Sequence, residues 1–499
     1  MVVLNRRRGR ISAGLWILSA AACSVSGGEG EADPHPAPPR PPNVVVFFID
    51  DLGYADVEPF GAQAGSTPAI ARLAREGVVQ RNFHVSQPVC SASRASLLTG
   101  CYANRVDVHG ALMPWDAAGL RPEETTLAEL LRDRGYATAL YGKWHLGHCA
   151  PEFLPTRQGF DVYFGLPYSN DMWPPNGKRR FPPLPLFEQE AIVDDDVDAA
   201  EQATLTARCT ERAVAFIKEK AVAGPFYVQL NHTMVHVPIF ASPAFAGKTG
   251  RGVYADVVAE IDASVGAVLE ALDQTGVADD TLVIFTSDNG PWLPFGDHAG
   301  AKGVFREGKG TTWEGGVRVP CVVRYPRAVR PGTISDAMLM TIDVLPTVAA
   351  LAGAESPALP IDGKNRPAAF FRGESTDAPS GYAYYYGRSR LQAVVDGHGR
   401  FKLVFPHSYP SLQGRPPGVG DGRMNETMMK FESTALYDLL NDPAETQDVA
   451  SKHPDVVAAL TAYADRMRAE LGDAGRNQAG AATRPSARAA VVPPRFKAP

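Results

Sequence analysis

Seven short stretches of this chain carry side chains that can do chemistry. Cys90 opens Cys-Ser-Ala-Ser-Arg, a thiol with Arg94 four residues on and only small side chains between them. Ser91 to Gly100 reads as a helix closed by a glycine. That puts Cys90 at a helix N-terminus, where backbone N–H groups and the helix dipole favour an anion, so an anionic ester suits the position. Further on, Lys143 and His145 close the segment Gly135–His145. Two residues apart on an extended segment, their side chains point to the same side, so an ammonium and an imidazole face one pocket. Preorganised donors of that kind stabilise charge that shifts during ester cleavage. Asp50 and Asp51 follow the apolar run Val44–Ile49, and Asp288 and Asn289 follow Leu282–Phe285. Adjacent carboxylates at the end of a buried strand are costly unless something neutralises them. Three carboxylates and one amide oxygen form a hard, oxygen-only set, which suits Ca²⁺ or Mg²⁺ rather than Zn²⁺. Lys309 stands between two glycines, where backbone can approach a ligand closely. His232 and His236 follow the strand-like Pro225–Leu230, and Ser169 lies in Pro-Tyr-Ser-Asn-Asp.

Asp50, Asp51 and Asp288 bring three negative charges to these stretches, and Arg94, Lys143 and Lys309 bring three positive ones. A divalent cation would leave about two net positive charges before either histidine protonates, so an anionic substrate is expected. The sum does not separate a sulfate ester from a phosphate ester, since both are tetrahedral anions. The net charge of −6 over the whole chain argues against general nucleic-acid binding.

The elements that position these side chains can be read from periodicity and punctuation. The two apolar runs are of the kind buried on both faces of a parallel sheet, and Tyr136, Thr138 and Leu140 alternate with smaller residues up to the lysine segment. Thr67 caps a helix with Pro68 at its first position and Gly77 after its end, and 125–134 and 254–276 read as two more helices. Alternating strands and helices predict an α/β fold with ligands at strand carboxyl ends, where the acidic pairs fall. Beyond about Gly373 the texture becomes Tyr-rich and period-two, in GYAYYYG and RFKLVF, and ends in a helix to about Leu471.

The two ends of the chain differ from its middle. Arg6, Arg7, Arg8 and Arg10 precede an apolar stretch from Ile11 to Ala22, shorter than the roughly 20 residues a membrane span needs, so residues 1–23 read as an export signal. Leu18 to Cys23 resembles a bacterial lipoprotein box, while Ala20 to Ala22 also suits ordinary signal cleavage, and both readings stay open. The expected location is outside the cytoplasm, as a periplasmic or outer-membrane lipoprotein or a secreted protein. A linker rich in Gly, Glu and Pro at 24–42, and a tail rich in Ala, Arg and Pro at 472–499, are expected to be disordered. Of the six cysteines, Cys101, Cys149, Cys209 and Cys321 are left over once Cys23 and Cys90 are set aside. Export permits disulfides among them, but the sequence does not give a pairing.

Taken together, Cys90–Gly100 and Gly135–His145 resemble the two signature segments of the sulfatase family, and LPYSNDMWP resembles its arylsulfatase A-like group. The resemblance runs from about Pro42 to Leu471. It implies an alkaline-phosphatase-like fold: a mixed, mainly parallel sheet flanked by helices over 43–373, with a small antiparallel C-terminal subdomain over 374–471. It also implies that a maturation enzyme oxidises Cys90 to formylglycine (3-oxoalanine), whose hydrated aldehyde attacks sulfur. Ala92 stands where many relatives have Pro, a variant also found in the family, so which maturation enzyme acts is open. Asp50, Asp51, Asp288 and Asn289, with residue 90, inherit the metal site. Arg94 inherits the task of holding residue 90. Lys143, Lys309, His236 and Ser169 inherit contacts to the sulfate, with His236 as the acid and His145 as the base. The expected activity is hydrolysis of a sulfate monoester of an aryl or glycan alcohol. The alternatives are a phosphodiesterase or phosphonate monoester hydrolase of the same superfamily, and a non-catalytic lipoprotein that binds sulfated glycans.

Overall fold

The strand Asn43–Ile49 is buried along its whole length because it runs parallel between two others, Thr281–Ser287 on one side and Phe226–Asn231 on the other. In the computed structural model, which describes residues 41–174, 181–420 and 422–497, these three form the middle of a ten-stranded sheet. Its order is Thr333–Ser335, Val78–Gln80, Cys321–Arg324, Thr281–Ser287, Asn43–Ile49, Phe226–Asn231, Ala137–Gly142, Val162–Gly165, Leu186–Glu188 and Ala191–Asp194. The five strands from Thr281–Ser287 to Val162–Gly165 are parallel, and antiparallel pairs enter on both sides of them. Register places Ile49 opposite Ser287, so the residues that follow both strands emerge at the same edge of the sheet.

The expected helices form at Pro68–Glu76, Leu127–Asp133 and Val253–Gln274. Thr126 and Glu129 make a reciprocal capping box at the second, satisfying two free donors. At the first, the Thr67 hydroxyl accepts from Glu58 N instead, and Asp262 of the long helix accepts from the N–H groups of Ala69 and Ile70. The neutralising acceptor therefore comes from tertiary packing.

C-terminal to this sheet, Gly381–Tyr386, Arg390–Asp396, Phe401–Val404 and Ala435–Asp438 form a four-stranded antiparallel sheet, against which helix Pro454–Leu471 packs. From Pro41 onward the chain is one compact unit. The expected export signal and nearly all of the expected linker fall outside the described residues. Among those described, no helix is long and apolar enough to cross a membrane, and Cys90, Cys101, Cys149, Cys209 and Cys321 are free thiols.

The tail departs from the disorder expected of its composition. Ala487–Arg488 pairs with Ala118–Gly119, Arg484 donates to both Glu124 carboxylate oxygens at 2.7 Å, and Ser486 donates to Asp107. Phe496 is buried, its ring 4.6 Å from that of His148 and 6.3 Å from that of Tyr168. A segment with too little apolar surface to fold alone needs only a few such anchors when the surface it lies on is already built.

Candidate active site

Cys90 is the first residue of a helix that runs to Thr99, is buried throughout, and is closed by Gly100 at φ 67°. The Cys90 thiol lies 3.6 Å from Asp50 Oδ1 and 3.4 Å from Lys309 Nζ. Burial pushes it up to about 12, with Lys143 and Lys309 pulling the other way. A thiol held protonated at neutral pH is a weak nucleophile.

The acidic pairs meet as their strands require. Asp51 N donates to Asp288 Oδ1 at 3.1 Å, and Asn289 Nδ2 donates to Asp51 Oδ1 at 2.6 Å. Asp51 adopts φ 61°, a left-handed conformation that is uncommon for non-glycine residues and easier for Asp than for most. Asp50 and Asp288 are both fully buried. Burial works to raise Asp50, but Lys143, His236, Arg94 and Lys309 outweigh it and hold the carboxyl well below the usual range. Asp288 goes the other way, to about 7, because burial and the nearby Asp50 outrun its 2.8 Å bond from Arg94. Asn289 Oδ1 is buried and without a hydrogen-bond partner. An orphaned hard acceptor beside crowded carboxylates fits a hard divalent cation. Single ligand atoms of Asp50, Asp51, Cys90 and His236 also lie within 4.8 Å of one another. The structure thus draws His236 into the cluster, while Asp288 is joined to it through Asp51 N and Arg94.

Three cations enclose this acidic centre. Arg94 donates to Asp288 Oδ2 and to the Lys143 carbonyl, and lies 3.6 Å from Asp50. Lys143 Nζ is 2.5 Å from Asp50 Oδ2 and 3.1 Å from Ser169 Oγ. Lys309 Nζ donates to both oxygens of Asp51, at 2.6 and 2.9 Å. Burial disfavours both ammonium groups, yet Asp50 and Asp51 hold them protonated.

The strand that leads to Lys143 ends at Gly142, whose φ of 110° and close approach to Asn231 O leave no room for a Cβ. The extended spacing assumed from sequence therefore does not continue. His145 sits at φ 63°, and it reaches the pocket through this turn rather than through strand alternation.

The two histidines present different faces. His145 Nε2 is 2.8 Å from the Leu112 carbonyl, which can only accept, so Nε2 carries the proton and the buried Nδ1 keeps a free lone pair. Burial, then Lys143, holds the ring well below its ordinary value, hence neutral. His236 Nδ1 donates to the Val237 carbonyl at 2.6 Å, leaving Nε2 facing Ser169 Oγ at 3.5 Å and Asp51 Oδ2 at 3.6 Å. His232 bonds Ser264 instead, outside the cluster.

Sequence reading passed over Trp292. Lys309 Nζ sits 4.7 Å from the centre of its ring, and the His236 ring is 5.5 Å away. Its one signal was an aromatic directly after Asp-Asn-Gly-Pro.

A family model described as Sulfatase matches residues 42–354. Steryl-sulfatase of Mus musculus is 35% identical, over 88% of this chain and 84% of its own. Arylsulfatase A of Homo sapiens is 34% identical over 84% and 86%. Among solved structures, the PsFucS1 sulfatase from Pseudoalteromonas sp. superposes with a TM-score of 0.75 at 26% identity, over 86% of this chain and 91% of that one.

Proposed function

This chain belongs to the sulfatase family, and on that premise we propose that it is a sulfatase that hydrolyses a sulfate monoester at residue 90, with a divalent metal held by Asp50, Asp51, Asp288 and Asn289. The observation that carries the reading is the convergence of three buried carboxylates, two buried cations, Arg94 and Lys143, and the part-buried Lys309 on a helix N-terminal cysteine. The metal, Ca²⁺ or Mg²⁺, would supply Lewis-acid polarisation. Formylglycine made from Cys90 would supply a hydroxyl nucleophile where the thiol is a weak one.

The chain's own residues do the rest. Lys143 and Lys309 offer fixed ammonium groups to the sulfate oxygens, the first held by Asp50 and Ser169 and the second by Asp51, and Ser169 Oγ can itself reach the sulfate. Arg94 bridges Asp50, Asp288 and the Lys143 carbonyl, so it holds the frame on which residue 90 and the metal ligands depend. His236 can deliver a proton from Nε2 to the departing oxygen, with Lys309 beside it. His145, neutral and with Nδ1 open, can accept the proton released as sulfate leaves. These relatives are named for aryl and steryl substrates, and another, N-acetylgalactosamine-6-sulfatase of Homo sapiens, is named for a sugar, so the alcohol is taken to be aryl, steryl or sugar.

Export by the leading segment, with lipid attachment at Cys23 or ordinary cleavage, belongs to the same reading, and the mass of the mature N-terminus decides between the two. The central test uses protein co-expressed with a formylglycine-generating enzyme. The peptide holding residue 90 should show the mass loss of thiol to aldehyde, and aryl sulfate and sulfated sugars should be turned over in preference to phosphate diesters. Full sulfatase activity with an unmodified Cys90, or preference for the diester, would overturn the reading.

A further inference from the structure

Lys309 has a flexible four-carbon stem, and its loop has no regular structure beyond the single turn Glu314–Val317. Something must hold that loop. Locally, Lys309 N donates to the Pro291 carbonyl and Gly310 N to the Pro88 carbonyl. The larger restraint comes from the C-terminal part of the chain. Glu445 binds both ends of the loop: its carbonyl accepts from Arg306 Nη1 at 3.0 Å and its Oε2 accepts from Glu314 N at 2.7 Å. Lys402, on the strand Phe401–Val404, donates to the Thr312 carbonyl at 2.7 Å and pairs with Glu314 Oε1 and Glu445 Oε1, each at 2.9 Å. Lys402, Glu314 and Glu445 are all at 0% exposure. Between these ties Trp313 fills an aromatic box made by His407, Tyr409, Phe431 and Tyr437, with the Arg306 guanidinium 3.6 Å from its ring.

Burying a lysine and two glutamates is expensive, and apolar side chains of similar volume often serve stability as well or better. What the ionic arrangement adds is direction: its bonds end on the backbone of Thr312 and Glu314, three and five residues beyond Lys309. We propose that Lys402 and Glu445 are positioning residues, a buried clasp by which the C-terminal sheet fixes the loop 306–317 and so sets Lys309 Nζ against Asp51 and residue 90. This rests on the reading of Lys309 as part of the active site.

The test is a double-mutant cycle on full-length matured protein. Its members are Lys309→Ala, the charge-balanced and volume-preserving Lys402→Met/Glu445→Gln, and their combination. Rates on a nitrophenyl sulfate and on an alkyl sulfate are scaled to the folded, formylglycine-bearing fraction, measured by thermal unfolding and peptide mass. The clasp variant is expected to lose roughly tenfold to a hundredfold in kcat, the scale of a misplaced catalytic group. It should show the same ratio between the two substrates as Lys309→Ala. The combination should be no slower than Lys309→Ala by more than about twofold, because a group already removed cannot be misplaced again. Losses that multiply, or a clasp variant as fast as wild type, would overturn the clasp alone. Lys309→Ala at the wild-type rate would overturn the reading of Lys309 and the clasp with it. If the paired variant fails to fold, Glu445→Gln, which keeps an acceptor for Glu314 N, goes through the same cycle, and the same outcomes support or overturn the clasp.

Discussion

Replacing His236 by Ala tests whether the departing oxygen receives its proton from this ring. With Nδ1 committed to the Val237 carbonyl, Nε2 is the ring atom left to exchange a proton, and it faces Asp51 and Ser169 within 3.6 Å. Truncation removes one hydrogen bond and a ring packed on Trp292, a loss of about 1–3 kcal/mol that a chain with a core this extensive survives. The rate should fall much further for a poor leaving group. General acid catalysis is worth about 10²–10⁴-fold, or about 3–5 kcal/mol of barrier, when a sugar alkoxide must depart. A nitrophenolate leaves without a proton, so its kcat/KM should fall by less than about tenfold. The assay compares kcat/KM of wild type and His236→Ala on a nitrophenyl sulfate and on a sulfated sugar. Equal losses on both would remove His236 from the acid role and leave it a sulfate-binding residue.

The oxygen donor set predicts that prolonged EDTA treatment abolishes turnover and that Ca²⁺ or Mg²⁺ restores it; full activity in protein shown metal-free by elemental analysis would refute the site. Phe496→Ala, which empties the contact with His148 and Tyr168, should cost about 3–5 kcal/mol and lower Tm by several degrees; a tail that is in fact loose would leave Tm unchanged. Burial holds His84 down to about 3 and His148 and His232 down to about 4, so all three are neutral in the fold. Their folded values lie below the unfolded value of about 6.5, so the unfolded chain binds more protons and stability is lost as pH falls from about 6.5 toward 4, by up to about 3 kcal/mol for His148. His148→Gln keeps a donor for the Pro114 carbonyl and should flatten that part of a Tm-against-pH curve; an unchanged slope would contradict the assignment.

What sequence reading recovered, and what it missed, follows from how far each feature depends on its neighbours. An apolar run followed by Asp-Asp or Asp-Asn carries its own placement, because a doubly buried strand must end where its polar residues begin. Parallel pairing of Asn43–Ile49 with Thr281–Ser287 then brings the two acidic ends together. The Cys90 helix is equally local, with its start and its glycine stop both within the segment. His145 arrived in the pocket for a different reason than its spacing suggested, since a left-handed turn is not visible in a period-two pattern. The tail and the clasp were hidden more deeply. Composition measures what a segment can bury alone, whereas the tail uses a surface made by residues more than 300 positions earlier. For the clasp a signal did exist: RFKLVF puts a lysine on the same face as Val404, and a charge at a position that packing will bury calls for partners. Glu314 and Glu445 lie 88 and 43 residues away in the chain. Only the fold shows that all three meet, and that the place where they meet is the base of the loop carrying Lys309.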